Sequence, residues 1–375
     1  MNKRVALKRL EAGLPAAWYR DAVHHARELE AFWYRNWVAV CRIEEIPDQG
    51  DWRAARVGTQ SLVVVKGREG KIKAFHNTCR HRGSILCTAD AGRFERERIV
   101  CPYHAWTYNL DGRLVNTPRR MQTPDFDMKA FPLYEVAAKS WGGFVFVCLS
   151  SKTAFKPPTQ FKNYNLENLR IGKRIVVDVK ANWKLLCENF SECFHCPPVH
   201  PELCRIVTAY REAGAWGLSK KFDSKPEYAP GARTLTLDGT SRLSPFRNLN
   251  ESERKTLYVP AMLLPNLFLN VQPDYVNAHM MFPTGPESVR IVYDWLFEPE
   301  HMPKGADLAH YTALWEVTNA QDARNCEWQQ QGIQSREFRH GHYVPQEFDC
   351  HRFAQWVRQG LQAAVRMRVP RNQRT

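Results

Sequence analysis

The sequence has no long hydrophobic run. Its longest apolar stretch, residues 141–149, is less than half of the roughly 20 residues that a membrane-spanning helix needs. The opening residues, MNKRVALKRLEAG, are charged throughout, so no secretory signal is expected. No segment repeats itself and no tract is of low complexity, which excludes array folds. No Gly-x-Gly-x-x-Gly loop is present, so the chain is not expected to bind its own dinucleotide. A disulfide framework is not expected either. Eleven cysteines are an odd number in a chain without an export signal, so they should be free and buried or bound to metal. Global disorder is excluded by an aromatic content of 12%.

What is present is an ordinary globular composition, 44% hydrophobic and 25% charged over 375 residues, long enough for two domains of roughly 150 residues each. Lys and Arg number 53 against 39 Asp and Glu, a net charge of +14. Part of the excess sits at the ends, in Lys3, Arg4, Lys8 and Arg9 and in Arg366, Arg368, Arg371 and Arg374. Such charge permits nucleic-acid binding, but no nucleic-acid motif accompanies it. Solvated basic faces account for it, or a docking surface for an acidic protein.

Residues 16–38 read as helical. From about 40 the pattern is that of short strands. Residues 61–65 and 71–75 flank Gly67-Arg-Glu-Gly70, a hairpin signal. Residues 97–100, 106–109 and 113–115 are further short strands, the last two joined by the turn dipeptide Asp111-Gly112, and 143–149 closes the segment. A Lys- and Pro-containing stretch at 152–165 reads as a linker, with a domain boundary between 150 and 165. Beyond it come a strand at 175–179, a helix at 182–196 and loops over much of 205–255. Strands at 266–271, 275–282 and 289–297 follow, and then helices at 307–331 and 348–365. Strands followed by helices, without strict alternation, indicate an α+β class.

Two short segments each pair a cysteine with a histidine: Cys79-Arg-His81 and Cys101-Pro-Tyr-His104. Two loops of this kind can converge on one metal site. Two Cys and two His suit tetrahedral zinc, although each loop mixes the two types where a zinc finger segregates them. A [2Fe–2S] centre with two Cys on one iron and two His on the other takes one of each from both loops. Four unrelated residues are the remaining reading. Residues 76–108, HNTCRHRGSILC…VCPYHAWTY, resemble the Rieske domain of the Rieske non-haem iron, or ring-hydroxylating, oxygenases. Cys87 lies outside that pattern and is expected to be a buried free thiol.

A second constellation lies in NWKLLCENFSECFHCPPVHPEL, residues 182–203. Trp183, Leu186, Cys187, Phe190 and Phe194 recur at helical spacing, with Glu192 and His195 three residues apart on one face. Pro197-Pro198 must end that helix, which leaves His200 free to turn back toward His195. Two His need a third ligand. Asp322 follows Tyr311, Trp315 and Thr318 on a largely apolar helix face, where an unpaired carboxylate is costly. Two His and one Asp make the facial triad of a mononuclear Fe(II) site. The alternative is that Asp322 pairs with Arg324 at the surface.

The segment 182–203 resembles the catalytic motif of the same oxygenase family, and TNAQDARNCEWQQQGIQS around Asp322 resembles its C-terminal metal-binding helix. The resemblance covers about 30–365. It implies His195, His200 and Asp322 as iron ligands, and Cys79, His81, Cys101 and His104 as cluster ligands. It implies Glu192 as the carboxylate that links one subunit's Rieske cluster, through His104, to its neighbour's mononuclear iron. It further implies an N-terminal helical segment at 1–38 packed on the catalytic domain, an all-β Rieske domain at 39–155, and a helix-grip catalytic domain with an antiparallel sheet at 156–375. The expected assembly is a homotrimer in the cytoplasm, fed by an NAD(P)H-dependent flavin and [2Fe–2S] reductase and consuming O2.

The Glu-Cys-aromatic-His-Cys run followed by His-Pro-Glu-Leu is most similar to the subgroup acting on quaternary ammonium compounds, which usually has Tyr where this chain has Phe194. Hydroxylation and N-demethylation of a betaine-like substrate is therefore expected, with hydroxylation of an aromatic acid, or a Rieske electron carrier without a second site, as alternatives. Residues 205–285 are expected to line the pocket. For each of their aromatics (Tyr210, Trp216, Tyr228, Tyr258, Phe268, Tyr275 and Phe282) a core position is the expectation.

Overall fold

The structure, a computed structural model, describes residues 6–150, 153–214 and 227–368; Trp216 and the terminal Lys3, Arg4, Arg371 and Arg374 lie outside them. The chain divides into two compact units. One holds Trp33–Thr159 and Leu166–Asn168; the other holds the residues before 33, Gln160–Asn165 and those from 169 onward. No helix among the described residues is long and apolar enough to cross a membrane.

The first unit is all β. Seven antiparallel strands run in the spatial order Val38–Arg42, Phe144–Cys148, Glu135–Trp141, Ile72–His76, Gln60–Lys66, Asp51–Val57 and Ala91–Arg93. The expected hairpin is present, with Leu62 opposite His76 and Lys66 opposite Ile72. Leu62–Val65 are fully buried, as a continuous β-branched run should be in a central strand. A smaller sheet of Arg98–Val100, Thr107–Asn109 and Leu114–Asn116 carries the second Cys/His loop. Its Asp111-Gly112 turn needs glycine: Gly112 has φ +81° and an added Cβ would lie 2.5 Å from the Phe75 ring.

The second unit is built on a five-stranded antiparallel sheet, in the order Arg170–Val179, Ser288–Phe297, Val276–Gly285, Leu267–Val271 and Val259–Leu263. The last strand escapes the sequence reading because Pro260 interrupts its pattern. It is an edge strand, where a missing N–H is tolerated. The pairing of Glu11–Pro15 with His340–Tyr343 was equally invisible, since it joins the two ends of the chain. The helix Gly305–Gly332 buries Tyr311, Leu314 and Trp315, and Tyr311 packs edge-on against Tyr275 and Phe297 of the sheet region. The helix Phe348–Arg368 places Phe353 edge-on against Trp183.

Two helical segments differ from expectation. The one read over 16–38 is helical only to Trp33, in three short pieces (Ala16–Tyr19, Ala22–Glu28 and Leu29–Trp33), and Val38 already opens a strand. The segment read as helical to 196 forms a helix only over Trp183–Phe190. The Ser191 hydroxyl donates to the Cys187 carbonyl at 2.6 Å, and the Glu192 carboxylate accepts the backbone N–H groups of Phe194 and His195. Those N–H groups would otherwise have continued the helix, so the side chains end it. Pro197 and Pro198 then open a short new helix, Cys196–Val199, at positions where a missing N–H loses no bond. Glu192 and His195 therefore share a loop rather than a helix face.

Candidate metal centres

The two Cys/His loops are built alike. In each, the cysteine N–H donates to the carbonyl five residues on (Cys79 to Ser84, Cys101 to Trp106). In each, the N–H four residues on returns to the cysteine carbonyl (Gly83 to Cys79, Ala105 to Cys101). That returning residue has positive φ in both loops, +75° at Gly83 and +56° at Ala105. Both thiols are buried and in contact with each other, and Cys79 Sγ also lies 3.3 Å from the Tyr108 hydroxyl. Burial pushes the Cys79 thiol up. The rings of His81 and His104 lie 4.6 Å apart and nearer the surface, and His81 stacks on Trp106 at 4.8 Å. Two sulfurs inside and two imidazoles outside is the donor set of a mixed-ligand [2Fe–2S] cluster. Cys87 is buried outside the set, as expected, and burial pushes its thiol to about 12. All eleven cysteines are free of disulfides.

In the second unit His195, His200 and Asp322 converge. His195 Nε2 and His200 Nε2 are 3.2 Å apart, and Asp322 Oδ1 lies 2.9 Å from His200 Nε2 and 3.4 Å from His195 Nε2. Ligands about 2.1 Å from one metal ion stand about 3.0 Å apart at right angles and about 3.4 Å apart at tetrahedral angles, so the spacing fits a single ion. The outer ring nitrogens support this. His195 Nδ1 donates to Glu192 at 2.5 Å and His200 Nδ1 to Gln321 at 2.7 Å, which turns both Nε2 lone pairs inward. Asn189 Nδ2 donates to Asp322 at 3.0 Å. Burial disfavours charge on Asp322, but the adjacent His195 and His200 outweigh it and hold the carboxyl far below the usual range. Asp322 is not paired with Arg324, whose guanidinium lies over the Trp328 ring.

A cavity of about 590 Å³ reaches this cluster. Its described walls include Phe190, Tyr210, Tyr258, Trp315, Phe353 and Trp356. Of the described aromatics singled out from the sequence, only Tyr210 and Tyr258 line it. Phe268 and Tyr275 are core, while Tyr228 and Phe282 are half-buried elsewhere. The others were missed because helical phase tells which face is buried, not whether it faces core or cavity. Trp315, expected on the same helix face as Asp322, donates its indole N–H to the Tyr275 hydroxyl at 2.9 Å while its ring faces the cavity.

Two family models match the chain: "Rieske [2Fe-2S] domain" over residues 36–132 and "Ring hydroxylating alpha subunit (catalytic domain)" over residues 166–363. The chain belongs to the Rieske non-haem iron oxygenases. Its relatives include a glycine betaine monooxygenase oxygenase subunit of Chromohalobacter salexigens, 31% identical over 92% of this chain and 84% of the relative. The corresponding subunit of Pseudomonas aeruginosa is 28% identical over 92% and 87%. Among solved structures, the quaternary ammonium Rieske monooxygenase CntA in complex with an inhibitor aligns with a TM-score of 0.75 at 22% identity, over 96% of this chain and 97% of that one. The expected α+β fold, with a Rieske domain and an antiparallel catalytic domain, is thus borne out. So are the oxygenase activity and the two cofactors, a Rieske [2Fe–2S] cluster and a mononuclear iron, with O2 as co-substrate. An isolated electron carrier is excluded, because the second domain is that of an oxygenase.

Proposed function

We propose that this oxygenase hydroxylates an N-methyl group of a betaine-like quaternary ammonium substrate. The overall change is R–N(CH3)3⁺ + O2 + 2 e⁻ + 2 H⁺ → R–N(CH3)2CH2OH⁺ + H2O. The hydroxymethyl product then releases formaldehyde and a proton to leave the dimethylamine. The carrying observation is the aromatic-walled cavity that ends at His195, His200 and Asp322. Aromatic faces attract a quaternary ammonium by about 0.5–2 kcal/mol each. Arg352, the only Lys or Arg among the described lining residues, suits the substrate's carboxylate.

In this reading Cys79, His81, Cys101 and His104 hold the cluster, and His195, His200 and Asp322 hold the iron. When bound, the cluster supplies single electrons and the iron supplies the dioxygen chemistry. Glu192 keeps His195 in the tautomer that faces inward, and its carboxylate connects the site to His104 of a neighbouring copy. The functional domains run over 39–155 and 156–375, with residues 1–38 attached to the second. The assembly is a cytoplasmic homotrimer. Electrons come from a reductase, NAD(P)H-dependent with flavin and [2Fe–2S], which the basic surface suits if the reductase is acidic.

A single-turnover assay tests the reading. The iron-replete protein is pre-reduced, given O2, and offered trimethylammonium and dimethylammonium betaines beside aromatic acids. Formaldehyde with a betaine is the expected result. A hydroxylated aromatic acid without formaldehyde overturns the substrate and leaves both metal sites in place.

A further inference from the structure

The metal cluster has a second cavity beside it, of about 460 Å³. Asn189, Glu192 and His195 line both cavities and so form the wall between them. The second cavity is lined as well by Tyr19, Glu188, Tyr343 and Glu347, and by no Lys or Arg among the described residues. The first is walled mainly by aromatic and apolar groups, whereas the second is acidic.

Glu188 stands four residues before Glu192, on the last turn of the helix Trp183–Phe190. It is buried, and its carboxyl accepts hydrogen bonds from the Tyr19 hydroxyl at 2.8 Å and the Tyr343 hydroxyl at 2.6 Å. Other groups face it from every side. On its own helix Lys184 lies one turn earlier, paired with Glu28 at 2.6 Å, and the Cys187 thiol is adjacent. Glu347 approaches from the segment before the last helix, Cys350 donates to the Glu188 carbonyl at 3.2 Å, and Cys326 flanks from the long helix. Burial pushes the carboxyl up to about 7, against the pull of Tyr343, Tyr19 and Lys184 and with a push from Glu347.

Each turnover of the oxygenase consumes two protons with its two electrons: RH + O2 + 2 e⁻ + 2 H⁺ → ROH + H2O. A substrate filling the aromatic cavity displaces water from that side. The acidic cavity reaches the same wall from the other side and has room for water.

We propose that Glu188, hydrogen-bonded by Tyr19 and Tyr343, is a proton-relay residue: its carboxyl gives a proton to water at the Asn189–Glu192 wall of the metal site, that proton ends in the H2O of the overall change, and Glu188 is reprotonated by water of the second cavity. The proposal rests on the ligand assignment above and not on the identity of the substrate. A purely structural Glu188 would only anchor the two tyrosines, and glutamine would do nearly as well.

The test uses the full-length holoprotein with Glu188→Gln and Tyr343→Phe. The infrared band of a protonated carboxyl is followed across neutral pH as the wild-type minus Glu188→Gln difference. Separately, the pre-reduced protein is mixed with O2 and substrate in H2O and in D2O, and cluster reoxidation is timed. The relay expects a band that titrates near pH 7 and a reoxidation rate with an inflection there. Glu188→Gln should slow reoxidation by about 10²-fold or more, the range of positioned acid–base groups, and erase the inflection and the solvent isotope effect. Tyr343→Phe removes a hydrogen bond to the carboxylate and should move both inflections to higher pH. A Glu188→Gln protein with wild-type pH profile and isotope effect overturns the relay, as does a difference spectrum with no titrating band. If Glu188→Gln does not fold, an unshifted inflection in Tyr343→Phe overturns it. The infrared titration needs no substrate, so a wrong substrate assignment and a wrong relay assignment are told apart.

Discussion

His200 Nε2 lies 2.9 Å from Asp322 Oδ1, although the two residues are 122 positions apart. One comes from the turn between two short helices and the other from the middle of a 28-residue helix. Removing the carboxylate leaves two imidazoles, too few to hold the ion. Asp322→Ala should therefore lower the iron content from about three to about two per chain while leaving the Rieske spectrum intact. Metal analysis together with electron paramagnetic resonance checks this. Loss of the cluster signal along with the third iron would show that the sites are not independent.

Glu192 does two things that a glutamine does only in part. Its carboxylate accepts His195 Nδ1–H at 2.5 Å and it ends the preceding helix through backbone N–H groups. Glu192→Gln keeps an acceptor oxygen but loses the charge. Product formation should fall by about 10–100-fold, the usual cost of an altered ligand-orienting group, while chemical reduction of the cluster proceeds at the wild-type rate. Comparing stopped-flow cluster reduction with product yield separates the two effects.

The cavity wall offers a test of substrate class. Tyr258 stands edge-on to both Tyr210 and Trp315, at 6.4 Å in each case. Tyr258→Leu keeps apolar bulk but removes a π-face. A cationic substrate should lose about 0.5–2 kcal/mol, a KM increase of about 2–30-fold, and an uncharged isostere should lose little. Equal losses for both would show that Tyr258 contributes bulk alone.

The buried Glu188 carboxyl also makes a stability prediction. Its folded value of about 7 lies above the ordinary 4.5, so the folded chain holds this proton more tightly than the unfolded chain. Stability from this group is fully present below about pH 4.5 and falls as pH rises toward 7, by about 3 kcal/mol in all. Glu188→Gln carries no such titration. Its urea midpoint relative to wild type should therefore rise steadily between those two pH values. A constant offset would mean that the carboxyl is not held protonated in the folded state.

Much of both metal centres was legible because their ligands are local. Cys79 and His81 share one turn, Cys101 and His104 another, and Glu192, His195 and His200 lie within nine residues of chain. Asp322 was legible by helical phase, though its rival partner Arg324 was equally near in sequence. The aromatic cavity was not. Phe353 and Trp356 belong to the last helix, and only packing decides that this helix closes over the site.

The sequence by itself determined the ligand types and their spacing, because a metal site draws on few side chains and two tight loops can present most of them. It also determined the two-domain α+β order, through strand-like runs followed by helical ones. Only the tertiary structure decided that the helix after Asn182 stops at Phe190, that Pro260 sits on an edge strand, and that Tyr19 and Tyr343 meet Glu188 from opposite ends of the chain. Each of these depends on which distant group takes up a backbone N–H or a buried carboxylate, and local periodicity carries no record of that partner.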